Sequence, residues 1–164
     1  MTTFTTSLDK SNKIITILAF FSLIVMCLIS IKMSPEDTQF TIIFYLILGI
    51  FIYGIPFSLR TNNYAVSSDK LLIHRMIKDI EIDRNNILSV QQIDESQIKN
   101  SIRTFGVGGF FGSFGKFSND KLGDMIWYTT RRNNIVLIET KDHKKIILTP
   151  DKPKAFVASF QNGH

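Results

Sequence analysis

Two long stretches without a charged residue place the strongest constraint on the fold of this chain. Residues 14 to 31, IITILAFFSLIVMCLISI, contain no charge over 18 positions, and residues 40 to 59, FTIIFYLILGIFIYGIPFSL, contain none over 20. A helix needs about 20 predominantly apolar residues to cross the hydrocarbon core of a bilayer. Neither stretch has the polar stripe that helices in a soluble core usually carry. The sequence therefore predicts a transmembrane hairpin over residues 14–59, with spans at 14–31 and 40–59.

Basic residues flank this hairpin on one side. Lys10 and Lys13 precede the first span and Arg60 and Lys70 follow the second, whereas the linker KMSPEDTQ has one lysine beside two acids. Segments rich in lysine and arginine stay in the cytoplasm. The first apolar run is longer than that of a signal peptide, and no A-x-A cleavage site follows it. We therefore expect a multi-pass protein of the bacterial inner (plasma) membrane with both termini cytoplasmic and residues 1–13 as an N-terminal tail.

Residues 60–164 form the second unit and carry the whole formal net charge of +5. Alternation of apolar and polar residues, clearest in DIEID at 79–83, is typical of half-buried strands. A helix is expected at the end of the chain, with Asp151 as its cap, Pro153 in its first turn, and Phe156 and Phe160 on one face. The segments expected to be strands are NYAVS, KLLIHRMI, DIEID, NILSVQQI, DMIWYTT, NIVLIET and KKIILT.

The order of these segments resembles that of bacterial pleckstrin-homology-like (PH-like) domains, some of which belong to small membrane proteins with two N-terminal spans. The resemblance covers residues 60 to 161, and its most specific parts are Arg103 through Gly115, Gly123 with Trp127–Tyr128–Thr129, and Thr149–Pro150–Asp151. It implies a cytoplasmic all-β domain of about seven antiparallel strands in a partly open barrel, capped by a C-terminal α-helix. It implies no activity, because PH-like folds serve lipid, peptide and protein binding alike.

The stretch RTFGVGGFFGSFGKF, residues 103 to 117, is rich in both glycine and phenylalanine. It does not match a P-loop or a dinucleotide fingerprint, because phenylalanine occupies positions 110, 111 and 117. Two interpretations remain open, a corner of the barrel shaped by glycine and a contact surface formed by the aromatic rings. The structural glycines would be Gly106, Gly108, Gly109, Gly112, Gly115 and Gly123, and the contact surface would contain Phe105, Phe110, Phe111 and Phe114.

Basic residues gather at two successive turns near the end of the domain, and we expect these turns to lie at the same end of the barrel. Such a cluster could contact anionic headgroups weakly, since each basic residue contributes about 1 kcal/mol near a membrane surface. The residues added to the candidate surface on this ground are Arg131, Arg132, Lys144 and Lys145.

The sequence shows no catalytic constellation, cofactor motif or metal-ligand spacing. It also lacks the aromatic residues among the basic ones that a nucleic-acid surface would require. The sequence therefore predicts a non-catalytic interaction or scaffold module at the cytoplasmic face of the membrane. Its partners would be the lipid bilayer and a membrane or cytoplasmic protein. The alternatives are an anionic-lipid or small-ligand sensor and, third, an unrecognised enzyme.

Overall fold

The computed structural model describes residues 1–161, which begin with a strand and two long helices. Strand β1 (Thr2–Thr5) precedes helix α1 (Lys10–Met33), and a 3₁₀ turn at Pro35–Asp37 reverses the chain. The second helix consists of α2 (Thr38–Gly49), a π-helical stretch (Ile50–Gly54) and α3 (Ile55–Leu59). Both helices are long enough and apolar enough to cross a membrane.

These two helices do not belong to the protein core. None of the apolar window of the first helix and only 6% of that of the second is buried inside the protein. A core helix would bury one face against its neighbours. The two helices contact each other through a hydrogen bond of 2.9 Å between the hydroxyl groups of Ser30 and Tyr45 and through the rings of Phe20 and Tyr53. Their apolar surface therefore lacks a protein cover within residues 1–161, as expected for membrane-spanning segments.

The first sheet has four antiparallel strands in the order β1-β2-β3-β4, in which β2 is Thr61–Val66, β3 is Lys70–Arg75 and β4 is Ile80–Asp83. Strand β1 comes from the segment before helix α1, and Phe4 lies opposite Tyr64 of β2. The sequence had separated residues 1–13 from the domain as a tail, but the chain uses part of this segment to cover the edge of β2. Edge strands left open are prone to wrong pairing, so this cover also protects the sheet.

The second sheet has six strands in the order β5-β9-β10-β8-β7-β6, and it is open, as the first sheet is. Two of its strands, β6 and β7, form an antiparallel hairpin from the glycine- and phenylalanine-rich stretch, which had not been expected to contain strands. The pairing of β8 with β10 is parallel. The bounds are β5 Ile87–Gln92, β6 Ile102–Gly108, β7 Ser113–Asn119, β8 Gly123–Thr129, β9 Val136–Thr140 and β10 Lys145–Leu148.

The main core lies between the two sheets, and helix α4 (Pro153–Gln161) closes one side of it. Phe156 of α4 is fully buried, and its ring lies edge-on to Phe4 with centroids 5.1 Å apart. A second cluster covers the opposite face of the six-stranded sheet, where Phe117 stacks on Trp127 at 4.2 Å. Successive residues of β8 point to alternate faces, so Trp127 joins the second cluster and Tyr128 packs on the first.

The start of helix α4 differs from the sequence-based expectation. The helix begins at Pro153, and the carboxylate of Asp151 accepts hydrogen bonds from Thr5 and Ser7 instead of from the first turn of the helix. The expectation that Asp151 caps this helix is therefore wrong. The physical reason is competition, because the segment before α1 offers Asp151 three donors, whereas Pro153 at the start of the helix has no backbone N–H.

Candidate functional site at the membrane-side end of the domain

One end of the six-stranded sheet adjoins the two apolar helices, and we call it the membrane-side end. The β6–β7 turn at residues 109–112 lies here, because Ser113 of β7 is opposite Thr129 of β8. The carbonyl oxygen of Thr130 accepts hydrogen bonds from the Asp9 amide at 3.1 Å and from the buried side chain of Asn12 at 3.2 Å. The start of helix α1 is therefore fixed to the sheet directly.

A compact polar network, the junction, joins the segment before α1 to the domain at this end. Asp151 accepts hydrogen bonds from the Thr5 hydroxyl at 2.8 Å and from the Ser7 amide and hydroxyl at 3.0 and 2.7 Å. The guanidinium of Arg131 forms an ion pair with the same carboxylate. Thr6 adds a hydrogen bond of 2.8 Å from its hydroxyl to the Thr149 carbonyl. The junction therefore connects three segments that are distant in the sequence.

The charge state of Asp151 follows from these contacts. Partial burial acts to raise the pKa of Asp151, but the hydrogen bonds from Ser7 and Thr5 and the positive charge of Arg131 outweigh this effect. The pKa of Asp151 is therefore below its usual value. The carboxylate remains ionised at neutral pH, and the ion pair with Arg131 is part of the native structure.

The structure separates the four phenylalanines of the candidate surface into three environments. Phe110 lies edge-on to Tyr53 with ring centroids 6.0 Å apart, and Phe111 lies edge-on to Phe57 at 5.3 Å. Phe114 is buried, whereas Phe105 is 75% exposed. The turn that carries Phe110 and Phe111 therefore packs on the second apolar helix, and only Phe105 is free to meet another molecule.

Glycine is required in the β6–β7 hairpin where the two backbones approach each other. Gly106 and Gly115 are paired across the hairpin, with φ angles of 115° and 123°. A Cβ atom on Gly106 would lie 2.1 Å from the carbonyl oxygen of Phe114, and one on Gly115 would lie 2.3 Å from that of Phe105. Gly109, Gly112 and Gly123 also have positive φ angles, whereas a Cβ atom on Gly108 would make ordinary contacts with Arg103 and Phe117.

The basic residues do not form one cluster, and the expectation that their two turns share an end of the sheet is wrong. Arg131 and Arg132 follow the end of β8, whereas Lys144 and Lys145 lie at the start of β10. Because β8 and β10 run parallel, these positions lie at opposite ends of the sheet. Lys144 forms an ion pair with Asp142 at 2.5 Å, and the ammonium group of Lys145 donates to the Leu122 carbonyl at 2.7 Å.

Arg132 instead lines a cleft of about 980 Å³ that extends from the membrane-side end along the face of the sheet. The cleft lies between helix α1, the segment 95–101 and the β6–β7 hairpin, and Ile15, Lys99, Arg103 and Trp127 contribute to its lining. The sequence-based reasoning missed Lys99 and Arg103 as site residues. Arg103 is the first residue of the glycine-rich stretch. No local pattern indicates that the 28 residues between Arg103 and Arg132 fold back to bring both to one cleft.

The structure has two open β-sheets with a core between them and a C-terminal helix on that core. This arrangement defines a PH-like domain, and the two long apolar helices before it are candidate membrane spans. The chain belongs to the Bacterial PH domain family, whose model matches residues 62–162. Strand β1 lies outside the matched region, although it is part of the first sheet. Comparisons with curated proteins and with solved structures gave no significant match. Domains of the PH-like class are generally non-catalytic.

Proposed function

We propose that this protein is a non-catalytic binding module anchored in the bacterial inner membrane, with its PH-like domain and both termini at the cytoplasmic face. The basic residues Lys10, Lys13 and Arg60 flank the two apolar helices on the domain side, as the positive-inside rule requires of a cytoplasmic domain. The acidic turn at Pro35–Asp37 lies at the other end of the helix pair. In this arrangement the domain recruits another protein to the membrane surface.

One observation carries this proposal, the open edge of the six-stranded sheet at β6. Within residues 1–161, β6 pairs with β7 alone, so its other side presents unpaired backbone groups. Ile102 and Phe105 on this strand are 73% and 75% exposed. An extended segment of a partner protein can add to such an edge through backbone hydrogen bonds and place its side chains against exposed apolar residues. The two membrane anchors raise the effective concentration of the domain toward other membrane proteins.

A photo-crosslinking amino acid at position 105 in living cells tests this function. We expect an adduct of one discrete mass with a protein partner, because the β6 edge would be covered in the complex. The matched control carries the same amino acid at Met76, which is 59% exposed in the turn between β3 and β4. Adducts of the same pattern from both positions, or none from position 105, would contradict a partner site at β6.

The proposed orientation has a separate test with single cysteines in a Cys27→Ser background. A cysteine at Asp120, in the turn at the membrane-distal end of the domain, should resist a membrane-impermeant thiol reagent in intact cells. A cysteine at Glu36, between the two helices, should react. Both positions are exposed. The reverse pattern of labelling would place the domain outside the cell.

A second candidate function, the binding of an anionic lipid or small ligand, is favoured by the cleft beside helix α1. Three basic side chains line this cleft against one acidic side chain, that of Glu95. A protein partner at β6 and a ligand in the cleft do not exclude each other, because the two sites use different surfaces of the hairpin.

A further inference from the structure

The cleft beside helix α1 combines basic charge with side chains that have no other partner. Lys99, Arg103 and Arg132 form no ion pair and no side-chain hydrogen bond in the part of the chain that the structure describes. Arg131, beside Arg132 in the sequence, is by contrast held by Asp151 and Ser7. The cleft residues are therefore available to an anion from outside the protein.

The backbone of the hairpin gives Arg103 a defined position at the cleft. Its guanidinium Nη1 lies 3.5 Å from the point where a Cβ atom on Gly108 would be, and Gly108 also lines the cleft. The side chain of Arg103 lies along the hairpin, in contact distance of the position that a Cβ atom on Gly108 would take. A planar guanidinium at this position matches two oxygen atoms of a phosphate group better than the point charge of a lysine does.

The cleft also contains a donor that lacks an acceptor. Trp127 contributes to the lining, and its indole Nε1 is buried with no hydrogen-bond partner among residues 1–161. An indole N–H can only donate, and a buried donor without an acceptor is rare in native proteins. An acceptor oxygen that reached this nitrogen would satisfy it, and phosphate oxygens are acceptors.

The height of the cleft relative to the helices agrees with a ligand from the membrane surface. Ile15 of α1 lines the cleft and is the second residue of the uncharged run 14–31. Because the helix rises 1.5 Å per residue, Ile15 would lie at the edge of the hydrocarbon region, next to the layer of lipid headgroups. The exposed Arg132 would then lie in that layer, whereas Lys99 belongs to a segment that is hydrogen-bonded to the membrane-distal β7–β8 turn.

We propose that this cleft is a binding site for a phosphate group, with Arg103 and Arg132 as its cationic contacts. An anionic phospholipid of the adjoining leaflet or a soluble phosphate ester could present this group. The inference deepens the proposed function, because it gives the anchored binding module a ligand and a place to bind it. It does not depend on a protein partner at the β6 edge.

The single tryptophan of the chain makes the site directly observable, since Trp127 lies in the cleft. The full chain is placed in nanodiscs of neutral phosphatidylcholine with increasing fractions of phosphatidylglycerol, and tryptophan fluorescence is recorded at physiological salt. We expect a saturable change, and we expect the variant R103Q/R132Q to need at least tenfold more anionic lipid for it. The matched control K141Q/K144Q loses the same charge at the opposite end of the sheet and should differ from the wild type by less than twofold.

Native mass spectrometry of the same nanodisc samples supplies a second readout that does not depend on the environment of the indole. The wild-type chain and the control should retain one more anionic lipid than R103Q/R132Q. Circular dichroism establishes that all variants are folded. Equal lipid retention and equal fluorescence titrations for R103Q/R132Q and K141Q/K144Q would overturn the proposal, because the binding would then be general surface attraction.

A third arm separates the two sources of the phosphate group. Inorganic phosphate and glycerol phosphate are titrated into the protein in neutral nanodiscs. A fluorescence change that is lost in R103Q/R132Q would assign the cleft to soluble phosphate esters, whereas a response to anionic lipid alone would assign it to headgroups. No response in any arm would overturn the proposal. None of these measurements requires a partner or a cellular orientation, so their failure would leave the crosslinking and labelling tests of the proposed function unaffected.

Discussion

Phe111 lies edge-on to Phe57, with the two ring centroids 5.3 Å apart, and this pair connects the β6–β7 turn to the helix that enters the domain. Phe111 has a φ angle of 53°. A non-glycine residue in this left-handed conformation costs about 1–2 kcal/mol. The contact with Phe57, together with that of Phe110 on Tyr53, stabilises the turn in this strained form. The domain is thus packed against the second apolar helix and not only joined to it by the chain.

A double-mutant cycle measures this contact. Phe57→Ala, Phe111→Ala and the double variant should show a coupling of about 0.5–1.5 kcal/mol in the free energy of unfolding, as aromatic pairs do. The measurement is chemical denaturation of the full chain in detergent. Phe105→Ala is the control, because its ring is exposed and its removal should change stability little. Strict additivity of the two single variants would show that the rings are not coupled.

The segment before the first span should be necessary for the stability of the domain. Phe4 is 9% exposed and packs on Phe156, so Phe4→Ala should cost about 3–5 kcal/mol, the usual loss for a buried phenylalanine. Thr3→Ala on the same strand is the control, since Thr3 points to solvent. Thermal unfolding of the full chain checks both variants. A Phe4→Ala protein as stable as Thr3→Ala would mean that β1 does not contribute to the fold.

The ion pair of Asp151 with Arg131 should make stability dependent on pH below about 4. The pKa of Asp151 is lowered in the folded protein, so its contribution is present above the unfolded pKa of about 3.9 and is lost as the pH falls through the folded value. Asp151→Asn should cost about 1–3 kcal/mol at neutral pH. The loss of stability of this variant relative to the wild type should become smaller in acid.

The comparison is made by thermal unfolding in detergent between pH 7 and the acidic range. Asp120→Asn serves as the control, because Asp120 is exposed and forms no hydrogen bond or ion pair within the described residues. A deficit for Asp151→Asn that stays constant at all pH values would show that the charge of Asp151 does not contribute.

The close approach of the two hairpin backbones predicts that Gly115 tolerates no side chain. Gly115→Ala would place a Cβ atom 2.3 Å from the Phe105 carbonyl oxygen at a φ angle of 123°. Strain and clash together should cost about 2–4 kcal/mol. Gly108→Ala, in the same hairpin, should cost less than about 1 kcal/mol, because its nearest contact is 3.5 Å away. Equal melting temperatures of the two variants would contradict this account of the hairpin.

Local patterns in the sequence determined the parts of the fold that repeat with a short period. The two uncharged runs gave the apolar helices Lys10–Met33 and Pro35–Leu59, and the alternation of Ile80, Glu81 and Ile82 gave a strand. The resemblance to bacterial PH-like domains agreed with the family model. The helices and this strand follow from residues within one turn or one pleat of each other, which is why they can be predicted without a structure.

The structure of the glycine- and phenylalanine-rich stretch could not be predicted in this way. Its composition indicated tight backbone conformations and aromatic packing, but its glycines hid the two strands, because glycine disrupts the alternation that marks a strand. Whether each ring is buried, packed on a helix or exposed depends on the register of β6 with β7 and on the neighbouring helix.

Only the tertiary structure decided which distant segments meet. Three contacts join segments whose sequences do not indicate that they meet. They are the pairing of Phe4 with Tyr64, the parallel alignment of β8 with β10, and the presence of Arg103 and Arg132 in one cleft. These contacts are stabilised by burial and hydrogen bonding that exist only once the sheets have assembled. The sequence by itself therefore determined the helices, most of the strands and the family, and the assembled sheets determined the junction, the β6 edge and the basic cleft.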